Sequence, residues 1–210
     1  MEWLALGCSL FLLHPRATGN IILLLPMMLV VVIVETAGYY LRMTHHANQP
    51  YYNISTPLNI VLLLLLLRRN LEAGAARTAL TRMIPVYILF CLLNCFAPFP
   101  FAQHFQNFCS YNYIAGAFCL TVACSFYLYQ FIKKPEEQVI HTDEVFWITV
   151  AVMCLYAPKS VLFAIFPYFT KVRSSDFSFN DTWHLITDSL NMIFYGILSY
   201  ACVCRLIFRK

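Results

Sequence analysis

The chain has 210 residues, of which 60% are hydrophobic and only 11% charged, with a formal net charge of +4 and a mean hydropathy of +0.67. A soluble domain carries about 25% charged residues, so this composition excludes a water-soluble globular protein and points to a polytopic membrane protein. The length fits one transmembrane domain, residues 1–210, and the excess of basic residues does not indicate nucleic-acid binding.

The first segment, MEWLALGCSLFLLHPR, has a short apolar core with no basic leader and no A-x-A cleavage site, and is read as retained. A span needs about 17–25 residues, so segment 2–14 is short; if it crosses, tilted, the chain has seven spans, and otherwise six. Six further apolar runs, 20–41, 51–67, 82–100, 110–132, 145–168 and 182–208, are long enough to cross. Together they predict an all-α transmembrane helical bundle of six or seven spans.

The connections set the orientation. Ten basic residues (Arg16, Arg68, Arg69, Arg77, Arg82, Lys133, Lys134, Arg205, Arg209 and Lys210) fall on one side, three (Arg42, Lys171 and Arg173) on the other. Lys159, inside a span, completes the fourteen. The positive-inside rule makes the richer side, with the C-terminus, cytoplasmic. Tyr39, Tyr40, Tyr51, Tyr52, Tyr111, Tyr113, Trp147, Tyr168 and Trp183 fall near span ends, as an interfacial aromatic belt does. Two glycosylation triplets, at Asn53 and Asn180, lie close to the bilayer on the outer side and are read as chance matches. The nine cysteines include no C-x-x-C and are read as small packing residues rather than a disulfide framework.

Charges inside spans are expensive and usually face a cavity or one another. Lys159 lies roughly 13 Å along its helix from the outer end near Tyr168, Glu35 roughly 10 Å from Arg42, and Asp188 roughly 8 Å from Trp183. All three therefore occupy the outer half of the bilayer, with Asn59, Asn94 and Asn191 there or near the midplane. His184, Asp188, Asn191, Tyr195, Ser199 and Cys202 recur at three- and four-residue intervals and share one helical face. Thr149, Val152, Tyr156 and Lys159 form a weaker stripe, and Pro158 disturbs the turn before the lysine. Lys159 is expected to pair with Asp188 or Glu35 in a cavity that opens outwards. The competing reading is structural: buried charge pairs fix helix register, and asparagines join helices.

Catalytic signatures are missing. There is no P-loop, dinucleotide fingerprint, zinc-protease helix or nucleophile elbow. His45, His46, His104 and His184 all fall towards the outer side at spacings that match no standard metal site. No metal, no cofactor and no catalytic residue is expected; Asp188 with His184 is the one acid–base pair the sequence offers.

The segments ETAGYYL, YYNISTPLNI, DEVFWITV and TWHLITDSLNMIFYGIL resemble uncharacterised short multi-pass inner-membrane proteins of Bacteroidetes-type bacteria. The shared features are the acidic Glu35 near the end of an early helix, Tyr52-Asn53-Ile54-Ser55 at the start of the next, Phe146-Trp147-Ile148, and Trp183-His184 followed by Asn191. The chain departs from that group at Asn59, where an acidic residue is common, and at Lys159, where a small or neutral one is usual. The resemblance implies a bacterial inner membrane and no particular ligand.

The expected role is a ligand-binding, sensing or regulatory membrane module built on Glu35, Asn59, Asn94, Lys159, His184, Asp188 and Asn191. The expected surroundings are the lipid bilayer and either a homo-oligomer or a partner membrane or cytoplasmic protein. The rival is an oligomeric channel, pore or transporter using the same charges. Leu62–Leu67 argue against that helix lining a pore, whereas Tyr195, Ser199 and Cys202 could extend one. An accessory subunit whose polar residues serve assembly alone is the third reading.

Overall fold

The computed structural model describes residues 2–10, 22–44, 48–96, 109–133, 140, 143–172 and 177–208. They form seven helices: α1 (Glu2–Ser9), α2 (Leu24–Met43), α3 (Gln49–Asn70), α4 (Ala75–Phe96), α5 (Ser110–Lys133), α6 (Glu144–Val172) and α7 (Phe177–Phe208). His14, His45, His46 and His104, with the basic residues Arg16, Lys134, Arg173, Arg209 and Lys210, lie outside the described residues.

Helices α2 to α7 are long and apolar enough to cross a membrane. Helix α1 has 8 residues, a length of about 12 Å, and is too short to be one of them; it packs between α2 and α7. The candidate spans among the described residues number six. Only 28% to 39% of each spanning window is buried, so most positions face outwards. Those outward positions include Val86, Leu89, Phe118, Val161, Leu185 and Met192. A surface so apolar needs hydrocarbon as its solvent, and helices alone satisfy their backbone polar groups there.

Two boundaries differ from the hydropathy ranges for one reason. Helix α4 begins at Ala75, not 82, and α7 at Phe177, not 182, because polar residues at headgroup depth continue a helix although they end an apolar run. Elsewhere the stops are chemical. Asp143 caps α6: its Oδ1 accepts the Phe146 N–H at 2.7 Å and the Tyr127 hydroxyl at 3.0 Å. Arg68 and Arg69 occupy the last turn of α3, where cations complement the unpaired carbonyls, and Arg68 Nε donates to Thr81 Oγ1 on α4 at 2.8 Å. Pro158 leaves α6 continuous from Glu144 to Val172.

Packing runs in a ring, α1–α2–α3–α5–α6–α7 and back to α1, with α4 outside it against α3 and α5. Short connections make sequential spans antiparallel. The connections after α2, α4 and α6 therefore share one end, and those after α3 and α5 the other. Towards that second end the ring is filled with hydrocarbon. Leu63, Leu64 and Leu67 of α3, Leu120 of α5, Ile148 and Ala151 of α6 and Ala201 of α7 are each 0% exposed. Towards the first end the packing opens.

Candidate functional site

The opening is a cavity of about 300 Å³, at the small end of ligand sites. Its wall takes Met27, Val31, Val34 and Glu35 from α2, and Tyr52, Ser55, Thr56 and Asn59 from the first half of α3. Tyr113 comes from the start of α5, Leu155, Tyr156, Lys159 and Phe163 from α6, and His184, Thr187, Asp188, Asn191, Phe194 and Tyr195 from α7. Alternating chain direction brings Glu35 of α2, Lys159 of α6 and Asp188 of α7 towards one end of the bundle, and the wall continues past the middle of these helices at Met27, Leu155 and Tyr195.

Lys159 Nζ donates to Asn191 Oδ1 at 2.8 Å, which fastens α6 to α7. Direct pairing of Lys159 with Asp188 or Glu35 is not found. The lysine is held by a neutral amide, and its charge is opposed through space by Glu35, Asp188 and Glu2. Glu35 instead accepts the Tyr52 hydroxyl on Oε2 at 3.0 Å, joining α2 to α3. The cavity thus separates an ammonium on α6 from carboxylates on α2 and α7. Neither charge is neutralised by contact with the other, so each can meet a bound group.

One side of the cavity is aromatic. Tyr113 stacks on Tyr156 with centroids 5.5 Å apart and planes at 15°, and meets Phe163 at 4.8 Å. Tyr156 in turn meets Phe194 edge-on at 6.2 Å. These contacts tie α5, α6 and α7 through aromatic rings on that side.

Two polar atoms in the wall are buried without a hydrogen-bond partner, Asn59 Oδ1 and the Tyr113 hydroxyl. Buried polar atoms are nearly always bonded, and an orphan in a native interior costs about 1–3 kcal/mol. The pair belongs to the cavity wall beside the charges.

Six of the seven residues singled out in the sequence, Glu35, Asn59, Lys159, His184, Asp188 and Asn191, line this cavity. Asn94 does not. It lies on α4, outside the ring, and donates to Asn112 Oδ1 at 2.8 Å. Asn112, 1% exposed, also donates to Cys95 Sγ at 3.2 Å and offers its carbonyl to Tyr87 Oη at 3.1 Å. This second network fixes α4 to α5. Asn112→Leu should cost about 1–2 kcal/mol, the range for interhelical bonds in membranes, with Asn94→Leu/Asn112→Leu less than additive. Denaturation of the purified protein reads both; strict additivity would show that the two amides do not act together.

The sequence reading placed Tyr156 and Tyr195 on polar stripes but did not assign Tyr52, Ser55, Thr56, Tyr113 or Thr187 to the site. Tyr52, Ser55, Thr56 and Asn59 are spaced three and four apart on α3, the same signal that marked α7, so that face was available. Tyr52 and Tyr113 read as interfacial belt residues because they stand near span ends. Glu2 had no signal at all. Helix α1 carries it within the electrostatic reach of Glu35, Asp188 and Lys159, and burial, then Glu35, raises its carboxyl above the ordinary value.

Tyr195 is the last of the α7 polar stripe to reach the cavity. Below it the Ser199 hydroxyl is spent on the Tyr195 carbonyl at 2.7 Å, and Cys202 is 4% exposed. On α6, Thr149 bonds the Val145 carbonyl at 2.7 Å. The polar stripes therefore end inside the bundle.

No family model, no curated protein and no solved structure matches the chain.

Proposed function

We propose that the cavity binds a small zwitterion with a flat apolar body, and that the protein senses or regulates through it, with a partner chain, in a bacterial inner membrane. Binding, and no reaction, is the role assigned. The observation that carries this reading is the pair of orphaned polar atoms, Asn59 Oδ1 and Tyr113 Oη, in a wall that also bears Lys159, Glu35 and Asp188. A bound hydrogen-bonding group would satisfy them. Lys159 would take an anionic group, a cationic one would turn towards Glu35 or Asp188, and the Tyr113–Tyr156 stack would receive the body. The ten-to-three distribution of basic residues supports an outward-facing mouth and a cytoplasmic C-terminus.

The test is thermal stabilisation of the purified protein by three sets of compounds: aromatic amino acids, the same acids without the amine, and the amines without the acid. Zwitterions should stabilise most. A response to none of the three would sink the reading. Conduction by a channel or transporter is separated by flux from proteoliposomes. Flux should equal that of protein-free liposomes, because layers of buried leucine lie beneath the cavity; flux altered by Lys159→Met would favour a transporter instead.

A further inference from the structure

Cys95 lies in the last turn of α4 and Cys109 immediately precedes α5, and their sulfurs stand 3.3 Å apart. All nine cysteines are thiols in the structure. A disulfide has an S–S bond of about 2.0 Å, so closure needs the two sulfurs to approach by little more than 1 Å, within reach of small side-chain rotations. The surroundings hold them for it. Asn53 Oδ1 on α3 accepts the Cys109 backbone N–H at 2.9 Å, and Asn112 Nδ2 on α5 donates to Cys95 Sγ at 3.2 Å. Three helices thus converge on one pair of thiols, the pair whose sulfurs meet.

We propose that Cys95 and Cys109 are a redox site, closing a disulfide that ties the end of α4 to the start of α5. The pair lies at the cavity end of the bundle, the outer end by the basic-residue count, where disulfides persist. Access is from the side. An apolar groove of about 340 Å³ between α3 and α4 is lined by Cys95 together with Ile54, Leu58, Ile88, Leu92 and Phe96. It suits an uncharged, hydrophobic disulfide as oxidant. One cysteine sulfur attacks the reagent's S–S bond and releases one reagent thiol. The second cysteine then attacks the mixed disulfide and releases the other. In sum two cysteine thiols and one disulfide become a protein disulfide and two small thiols, which carry away both protons.

Burial, with Cys95 and then Cys91 beside it, pushes the Cys109 thiol above its ordinary value. The thiolate is the attacking form, so exchange should quicken as pH rises. The consequence for the molecule is positional. Tyr113 follows Cys109 by one helical turn and lines the cavity, so the bond would anchor the part of α5 that supplies it.

The experiment treats the purified full chain with an uncharged aromatic disulfide, 4,4′-dithiodipyridine, then alkylates it in denaturant and maps peptides by mass spectrometry. The expected result is a Cys95–Cys109 cross-linked peptide, lighter by two hydrogens and split by reductant. Cys95→Ser and Cys109→Ser should each stop at a mixed disulfide on the remaining thiol. Recovery of Cys95 and Cys109 in wild type as separate alkylated or separately adducted residues would overturn the proposal. The wild-type map decides it even where a serine variant fails to fold.

Discussion

Lys159→Met is expected to weaken binding of the anionic group by about 100-fold while leaving the melting temperature unchanged or higher. The first half follows from the loss of a charge-assisted hydrogen bond, worth about 3 kcal/mol. The second half follows from the cost of keeping an ammonium in the bundle with one amide as its contact partner, Asn191. Methionine fills nearly the same space without that desolvation cost, and replacing buried charge by an apolar group of similar shape is often neutral or stabilising. Asn191 Oδ1 loses its donor, but it lines the cavity, where water can replace the lysine. Lys159→Arg should retain part of the affinity, since it keeps charge but changes shape. Calorimetric or thermal-shift titration of the three proteins checks all of this. If the methionine variant binds as tightly as wild type, the lysine is not a ligand group; if it unfolds, the lysine serves the fold.

The six long helices and the common level of the charges were legible in the sequence because each rests on a strong, local signal, whereas the sequence left the span count at six or seven. Twenty apolar residues in a row have one structural meaning, and a charge inside such a run must face inwards. Glu35, Lys159 and Asp188 were assigned a common level from helical rise alone, and all three line one cavity. What failed was partner choice. Opposite charges suggested a direct pair, but the ring sets α6 beside α7 so that Asn191, not a carboxylate, reaches the ammonium. Depth is a one-dimensional quantity, and helix rotation and neighbour order are not. Asn94 shows the same limit: its depth was suitable, yet α4 lies outside the ring. Glu2 was hidden for a different reason. Segment 2–14 was recognised as a short apolar run, but nothing in it showed that α1 packs against α2 and α7, which carry two of the charges.

Gly116 should be the least replaceable of the described glycines. A Cβ placed there meets the Ile60 Cδ1 of α3 and stands 2.7 Å from the Tyr87 hydroxyl of α4. Both neighbours are buried, so either must shift against packed surroundings. Ile60 is 0% exposed and Tyr87 2%, and the Tyr87 hydroxyl is anchored on the Asn112 carbonyl at 3.1 Å. Gly116→Ala is therefore expected to cost about 1–3 kcal/mol, the usual range for overpacking, despite alanine's better helix propensity. Gly116→Leu should exceed that and lower the yield of folded protein. By contrast Gly196, with no atom near its would-be Cβ, should accept alanine at little cost. Unfolding in mixed detergent compares the three. Equal melting of Gly116→Ala and Gly196→Ala would refute the close approach. The distinction reaches the cavity as well. Asn112 and Tyr113 sit one turn before Gly116 on α5, so a side chain that pushes α5 from α3 and α4 displaces the ring that lines the site. Ligand affinity should then fall with stability in Gly116→Ala, whereas in Lys159→Met the two should separate.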